Sequence, residues 1–315
     1  MPKQAILDMD PGIDDALAIL LALRSPELKL RAITTVSGNV HVDKTSVNAL
    51  KVLEVAGVSD IPVAKGLSKP LVRQLVTAER FHGVDGLGDT GLPPPKLTLD
   101  KRHATDLIIQ EVEASEKREI TLIATGPLTN IAASLIRSPE ISEKVDQLII
   151  MGGAYGVTPY GFGNQTPVAE FNIYVDPEAA RIVFGSGIPL TAVGLDVTTN
   201  PSAVLESRLY SEICSADTPV AKFISKITRS WIAQWGTITI HDPMAVALCV
   251  DRTLFKTDRF HVDVETTGEL TVGQTVTDRR FWLEEVYRAK PNVNVCVDVE
   301  GKRFLKLFMD RLVRS

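Results

Sequence analysis

Four aspartates lie within eight residues near the start of the chain, in the segment AILDMDPGIDDALAIL. Asp8 and Asp10 have the two-residue spacing that places side chains on one face of a strand. Pro11-Gly12 predicts a turn, after which Asp14 and Asp15 open a helix. One such aspartate alone would usually cap the helix. Four carboxylates that converge repel one another unless a cation balances them, so the cluster predicts a site for a hard divalent ion with oxygen ligands.

Three further polar segments follow predicted strands or occupy loops. They are Ser37-Gly38-Asn39, the glycine-rich FHGVDGLGDTGLP over 81–93 and IATGPLTNIA over 123–132. Taken alone, the first is typical of a Gly-Asn turn and the second of a flexible loop with a solvated His82. The third indicates a strand-to-helix turn at Thr125-Gly126, with Asn130 on the surface of the helix.

Two later segments combine polar side chains with helix starts. The stretch 150–180 contains Asn164 and AEFN before DPEAA, in which Asp176 and Pro177 indicate a helix N-terminus. In ITIHDPMAVAL, Asp242 before Pro243 is also compatible with a simple cap. The segment SWIAQWG places Trp231 and Trp235 on one helical face, which more often belongs to a core than to a binding site.

The elements that must position these residues form an alternating pattern. Apolar runs without strict alternation predict strands over 4–10, 28–36, 61–66, 120–126, 146–153 and 189–196. Helical patterns occupy 14–24, 43–56, 103–116, 128–137 and 176–186. We therefore expect an α/β fold with a mainly parallel central sheet flanked by helices, and a site at the carboxyl ends of its strands.

The last third of the chain has a different pattern. Residues 202–250 indicate helices, 258–298 short strands with a turn at Thr267-Gly268, and 301–313 a final helix. The long irregular stretch 66–100 is typical of a functional loop. We see no linker or internal repeat, so we expect one domain over 1–315 with a small antiparallel β appendage near its C-terminus.

Composition excludes several classes of protein. The 315 residues carry a net charge of −5 with acidic and basic residues interspersed, which argues against nucleic acid or an anionic membrane as partner. Three cysteines without a C-x-x-C pair disfavour a disulfide framework or a zinc site. The N-terminus lacks a signal-like apolar segment, and no apolar run reaches the length of a membrane span, which favours the cytoplasm.

The motif D-x-D-x-G-x-D-D after the first strand, with Asn164, AEFN and DPEAA further on, resembles the inosine-uridine preferring nucleoside hydrolase family. This resemblance implies a nucleoside hydrolase-like, Rossmann-like fold, calcium-dependent hydrolysis of the N-glycosidic bond of ribonucleosides, and a homotetramer or homodimer. It also implies roles for individual residues. The implied calcium ligands are the carboxylates of Asp10, Asp15 and Asp242 and the main-chain carbonyl of Thr125.

The resemblance assigns a second set of residues to the nucleoside. The implied substrate contacts are Asp14, Asn39, His82, Met151, Asn164, Glu170, Phe171, Asn172, Trp231 and His241. Asn39, Asn164, Glu170 and Asn172 would hydrogen-bond the ribose, which suits amides and carboxylates. For Met151 and Phe171, plain core packing is the alternative.

The implied mechanism has three tasks, because N-glycosidic hydrolysis passes through an oxocarbenium-like ribose. Calcium would orient and acidify a water, with Asp10 as base. Asp14 and the amides would fix the sugar, and His241 would assist the leaving base. Asp8 would support the metal ligands from behind.

Three alternatives stay open. A pyrimidine-specific nucleosidase would share the ribose and calcium sites and differ in its base contacts. A phosphohydrolase of the haloacid-dehalogenase type also uses D-x-D after a first strand, but usually has Thr or Val where this chain has Gly12. A non-catalytic nucleoside binder would keep the ribose contacts and lose the catalytic base or the metal ligands.

Overall fold

The computed structural model describes residues 1–314 and contains one eight-stranded sheet. Its strands, in spatial order, are β3 (Val63–Lys65), β2 (Leu28–Thr35), β1 (Lys3–Met9), β4 (Ile120–Ala124), β5 (Gln147–Met151), β6 (Leu190–Val193), β12 (Val293–Val299) and β9 (Phe255–Phe260). All neighbouring pairs are parallel except β12 with β9. The predicted α/β architecture with a mainly parallel sheet is confirmed.

Two short antiparallel pairs lie outside this sheet: β7 (Leu205–Glu206) with β8 (Thr237–Ile238), and β10 (Val262–Val264) with β11 (Thr275–Thr277). The helices are α1 (Ile13–Leu23), α2 (Val42–Ala56), α3 (Glu79–His82), α4 (Ala104–Glu113), α5 (Thr129–Arg137), α6 (Ile141–Lys144), α7 (Phe171–Val175), α8 (Pro177–Phe184), α9 (Leu195–Thr198), α10 (Ser207–Ser215), α11 (Pro219–Ile227), α12 (Arg229–Trp235), α13 (Asp242–Val250) and α14 (Gly301–Leu312).

Burial on both faces explains why the strand sequences do not alternate. Every residue of β4, β5 and β6 is buried. In β1, Leu7 and Met9 pack into the core beneath α1 and α13, whereas Ile6 packs into the core beneath α4, α5 and α8. Both faces therefore need apolar side chains, as in other parallel sheets covered by helices.

The predicted antiparallel appendage exists as β10 and β11, and the predicted turn at Thr267-Gly268 lies in the connection between them, but it is not a two-residue hairpin turn. Residues 265–274 connect the two strands, a loop much longer than a two-residue hairpin. The Glu265 carboxylate accepts hydrogen bonds from the main-chain N–H groups of Thr267 and Gly268, so this dipeptide turns inside the loop. The neighbouring β9 is an edge strand of the main sheet and not part of the appendage.

The strand order places the carboxyl ends of β1, β2 and β4 together. From β1 the chain moves outward to β2 and β3, and then returns to β4 on the other side of β1. Such a reversal opens a crevice at the carboxyl edge of an α/β sheet, where ligands bind.

Within residues 1–314, no helix combines the length and apolar character that a bilayer crossing requires.

Candidate active site

A cluster of buried carboxylates lies in this crevice. Asp10 follows β1, Asp14 and Asp15 stand in the first turn of α1, and Asp242 is the first residue of α13. Oxygens of Asp14, Asp15 and Asp242 all lie within 4.8 Å of one another, and all four side chains are buried. Two helix N-termini thus meet at the cluster and partly offset its negative charge.

The electrostatics of this cluster fit a hard divalent cation. Burial raises the pKa of all four carboxyl groups, that of Asp14 to about 8, and the charges of neighbouring aspartates raise the pKa values of Asp10, Asp14 and Asp242 further. Asp10 Oδ1 is buried without a hydrogen-bond partner among the described residues. Oxygen ligands with excess negative charge and a free buried oxygen are what such an ion requires.

Asn39 connects two of these carboxylates. Its main-chain N–H donates to Asp10 Oδ2 at 2.5 Å, and its side-chain amide donates to Asp15 Oδ2 at 2.9 Å. Asp15 also accepts from the Gly12 N–H at 3.0 Å and the Thr125 hydroxyl at 2.9 Å. The orientation of Asp15 is therefore fixed, and Asn39, which we predict to contact ribose, also holds the carboxylate cluster.

Thr125 and Asn172 meet beside the cluster. The Asn172 side-chain amide donates to the Thr125 carbonyl at 2.7 Å and to the Met151 carbonyl at 3.1 Å. Glu170 caps α7 by accepting from the N–H groups of Asn172 and Ile173. Glu170 thus has a structural task that the sequence did not indicate.

A cavity of about 280 Å³ stands over the cluster. Its lining includes most of the predicted residues: Asp14, Asn39, His82, Thr125, Met151, Asn164, Glu170, Phe171, Asn172, Trp231, His241 and Asp242. Asp8, Asp10 and Asp15 are not part of the lining and are at most 1% exposed. The volume approaches the lower end of the range for small-molecule sites.

One wall of the cavity is aromatic. The rings of Phe81 and Trp235 lie 6.0 Å apart, and those of Trp231 and Trp235 lie 6.2 Å apart. Trp231 Nε1 donates to the Phe81 carbonyl at 2.7 Å, which ties α12 to α3. We did not predict Phe81 as a site residue, although it stands next to His82 in the sequence.

Five further lining residues were not among the predicted site residues either: Ala78, Gln165, Trp235, Thr237 and Thr239. The alternation Thr237-Ile238-Thr239-Ile240 could have indicated the two threonines. Ile238 and Ile240 are buried in the core, and the two threonines that alternate with them line the cavity. A period of two is the expected pattern for extended chain with one polar face.

Both cavity histidines are held in the neutral form. His82 Nδ1 accepts from the Ile13 N–H at 3.1 Å, and His241 Nδ1 lies 2.8 Å from the Thr198 hydroxyl. Burial lowers the pKa of His82 to about 3 and that of His241 to about 4. Near neutral pH each imidazole therefore carries a single ring proton.

Asp8 lies behind the cluster and not in it. Its Oδ1 accepts from the Thr34 hydroxyl at 2.6 Å and the Asn130 amide at 2.8 Å, and burial raises its pKa to about 7. Asn130 is fully buried, so its predicted surface position is wrong. The N-terminal turn of α5 packs against the sheet edge, where the Asn130 amide also bonds the Thr35 carbonyl and the Leu67 N–H.

Comparisons with known proteins show which proteins the whole chain resembles. The sequence profile of the inosine-uridine preferring nucleoside hydrolase family matches residues 5–306. The chain is 42% identical to the inosine-uridine preferring nucleoside hydrolase of Leishmania major over 320 residues, covering 100% of this chain and 98% of that protein. It is also 42% identical to a pyrimidine-specific ribonucleoside hydrolase of Shewanella sp. (strain MR-7), covering 99% and 96%. The solved structure of a plant nucleoside hydrolase superimposes with a TM-score of 0.92 at 36% identity over the full length of both chains.

Proposed function

The chain belongs to the inosine-uridine preferring nucleoside hydrolase family and is a ribonucleoside hydrolase that cleaves N-glycosidic bonds, and from that premise we propose that its carboxylate cluster holds Ca²⁺. The observation that supports this most directly is the convergence of Asp14, Asp15 and Asp242 at the floor of a cavity lined by carboxamide and carboxylate groups. The convergence is costly for the folded protein unless a cation shares the site.

The proposed ligands are the carboxylates of Asp10, Asp15 and Asp242 and the carbonyl of Thr125. A set that mixes carboxylates with a main-chain carbonyl suits calcium, which accepts irregular shells of six to eight oxygens. When bound there, the ion would acidify a water molecule and balance the charge of the aspartates. Thr125 is well placed for this, because its hydroxyl already bonds Asp15.

Asp10 is the proposed proton acceptor. The Asn39 N–H fixes Asp10 Oδ2, whereas Oδ1 is buried and has no hydrogen-bond partner in residues 1–314. One oxygen therefore orients the carboxylate, and we propose that the other, which would also contact the ion, takes a proton from the attacking water. A positioned base of this kind contributes about 10²- to 10⁴-fold to a rate.

Polar groups around the cavity are proposed to bind ribose: Asp14, Asn39, Asn164, Glu170 and Asn172. Their carboxylate and amide atoms match the donors and acceptors of sugar hydroxyls. A site built for hydroxyls also rejects analogues that lack them, because its own polar groups are then left unpaired. Ribonucleosides should therefore react much faster than deoxyribonucleosides. Asp8 would support this site by fixing the end of β1 through Thr34 and Asn130.

The aromatic wall and His241 are proposed to receive the base. Phe81, Trp231 and Trp235 offer ring faces that stack on purines and pyrimidines alike. His82, Met151 and Phe171 complete the surroundings of the nucleoside. We therefore propose that both purine and pyrimidine nucleosides are substrates, with a pyrimidine-specific enzyme as the alternative that the Shewanella relative supports.

The test is a turnover profile over inosine, adenosine, guanosine, uridine and cytidine, with ribose release as the readout. We expect ribose from members of both classes, loss of activity after chelation, and recovery with Ca²⁺ but not with Mg²⁺. Activity on uridine and cytidine alone would establish the alternative. Release of phosphate from p-nitrophenyl phosphate would support a phosphohydrolase, and nucleoside binding without ribose release would support a binder.

Three broader predictions belong with this proposal. We propose that residues 1–315 act as one domain, supported by the single central sheet whose two faces carry the two hydrophobic cores. Assembly into a homodimer or homotetramer is checked by light scattering on the purified protein. A cytoplasmic location stays a prediction, for which cell fractionation is the measurement.

A further inference from the structure

His241 is supported by a residue that the proposed function does not yet use. Thr198, the last residue of α9, is fully buried, and its hydroxyl oxygen lies 2.8 Å from His241 Nδ1. We infer that Thr198 is a positioning residue that fixes His241 as the tautomer with its proton on Nε2, directed at the leaving base. This inference rests on the proposed role of His241 in releasing the base.

The hydrogen-bond inventory decides the direction of this bond. A neutral imidazole has one N–H donor and one bare nitrogen acceptor, whereas a hydroxyl can donate and accept. Within residues 1–314, the Thr198 hydroxyl bonds only His241. If Nδ1 donated to Thr198, the buried hydroxyl proton would have no acceptor. The hydroxyl therefore donates to Nδ1, and the ring proton is on Nε2.

The surroundings hold this arrangement in place. The Thr198 N–H donates to the Gly194 carbonyl at 3.1 Å, which fixes the residue in α9. His241 lines the cavity while its Nδ1 faces Thr198, so Nε2 is the nitrogen left for a substrate. The other cavity histidine is arranged in the same way, because a main-chain N–H donates to His82 Nδ1.

A hydrogen bond from His241 Nε2 should matter only for leaving groups that need one. A purine or pyrimidine anion leaves slowly without a hydrogen bond, whereas p-nitrophenolate is stable enough to leave unaided. Loss of the Thr198 hydroxyl should therefore slow nucleosides and spare p-nitrophenyl β-D-ribofuranoside. Residues that orient a metal-bound histidine are worth about 10- to 100-fold in activity, and we expect an effect of that size for Thr198.

The experiment compares Thr198→Val, a variant of nearly equal shape, with Thr199→Val as matched control. The Thr199 hydroxyl bonds the carbonyls of Leu195 and Tyr160 and not a histidine. We expect Thr198→Val to lower kcat for inosine and uridine about 10- to 100-fold, with KM within about 2-fold. Turnover of the p-nitrophenyl riboside should change by less than about 3-fold, Thr198→Ser should restore nucleoside turnover, and Thr199→Val should resemble wild type on all substrates.

Several results would overturn the inference. The first is that Thr198→Val slows nucleosides and the p-nitrophenyl riboside equally. The second is that Thr198→Val turns over nucleosides as fast as Thr199→Val does. The third is that Thr198→Ser fails to restore nucleoside turnover. If His241→Ala shows no dependence on the leaving group, the proposed role of His241 fails and the inference fails with it. A wild-type protein that cleaves the p-nitrophenyl riboside but no nucleoside would instead contradict the proposed function.

A spectroscopic measurement does not depend on how the variants fold. Two-bond ¹H–¹⁵N correlation spectra distinguish the two neutral tautomers of histidine. In the wild-type protein loaded with Ca²⁺ we expect the His241 proton on Nε2, with Thr198→Ser unchanged. A proton on Nδ1 in the wild type would refute the assignment.

Discussion

Removal of the divalent ion should make the stability of the protein depend on pH in a predictable direction. The carboxylate cluster of Asp10, Asp14, Asp15 and Asp242 is buried, and burial raises each pKa above its ordinary value. A carboxyl group with a raised pKa keeps a proton in the folded protein that it has already lost in the unfolded chain. Without the ion, stability therefore falls as pH rises toward the raised pKa values and returns as pH drops.

The magnitude follows from the number of protons held. Each proton bound only in the folded state costs about 1.4 kcal/mol of stability per pH unit. Because the pKa of Asp14 reaches about 8, at least one proton is held across pH 6.5 to 8, which gives a loss of about 2 kcal/mol. The entropy of unfolding is about 2.1 cal/mol/K per residue. For a chain of 315 residues, a loss of about 2 kcal/mol therefore lowers Tm by about 3 °C.

The assay is thermal unfolding of chelated and Ca²⁺-loaded protein at several pH values in that interval. The difference between the two forms isolates the cluster, because Asp8 titrates in both forms and the two cavity histidines, with pKa values lowered to about 3 and about 4, stay neutral across the interval in both. Metal binding should release a proton and tighten as pH rises. Asp242→Asn should flatten the slope of the chelated form. Parallel Tm curves for the two forms would refute the reasoning, as would a Tm difference that narrows with rising pH.

Three other predictions concern single residues. Asp10→Asn should lower kcat by about 10²- to 10⁴-fold, because the amide cannot act as a base. The far-UV circular dichroism spectrum should not change, since the new amide oxygen still accepts from the Asn39 N–H. Near-normal turnover would exclude Asp10 as the base. Trp231→Phe removes the bond to the Phe81 carbonyl and should cost about 1 kcal/mol in denaturant unfolding, with a higher KM for nucleosides. Asn164→Ala, at an exposed position, should raise KM about 5-fold and leave Tm unchanged; a fall in Tm with normal KM would make its role structural.

Local chain chemistry explains why much of the fold could be predicted. The apolar runs without alternation identified strands buried on both faces, and Pro11-Gly12 followed by two aspartates identified the start of α1. The predicted strands and helices of the first two-thirds lie within about three residues of the observed ones, as expected for assignments made from periodicity and caps. Asp176 also caps α8 as expected, by accepting from the Ala179 N–H.

The difference from a two-residue hairpin at Thr267-Gly268 has an equally specific cause. The dipeptide is a turn, but the Glu265 side chain binds its N–H groups and makes it one part of a longer loop. Turn residues report the local backbone and not which strands pair across them. Strand pairing is settled by contacts between distant segments.

The sequence by itself determined that an acidic cluster follows the first strand and that the chain carries the motifs of a nucleoside hydrolase. Tertiary structure decided which side chains meet there: Asp242 joins Asp14 and Asp15 because α13 packs beside α1, and Thr198 reaches His241 from α9. It also buried Asn130 beneath the sheet edge. The physical reason is that helix starts and strand periods depend on neighbouring residues, whereas side-chain partners depend on how distant elements share one buried volume.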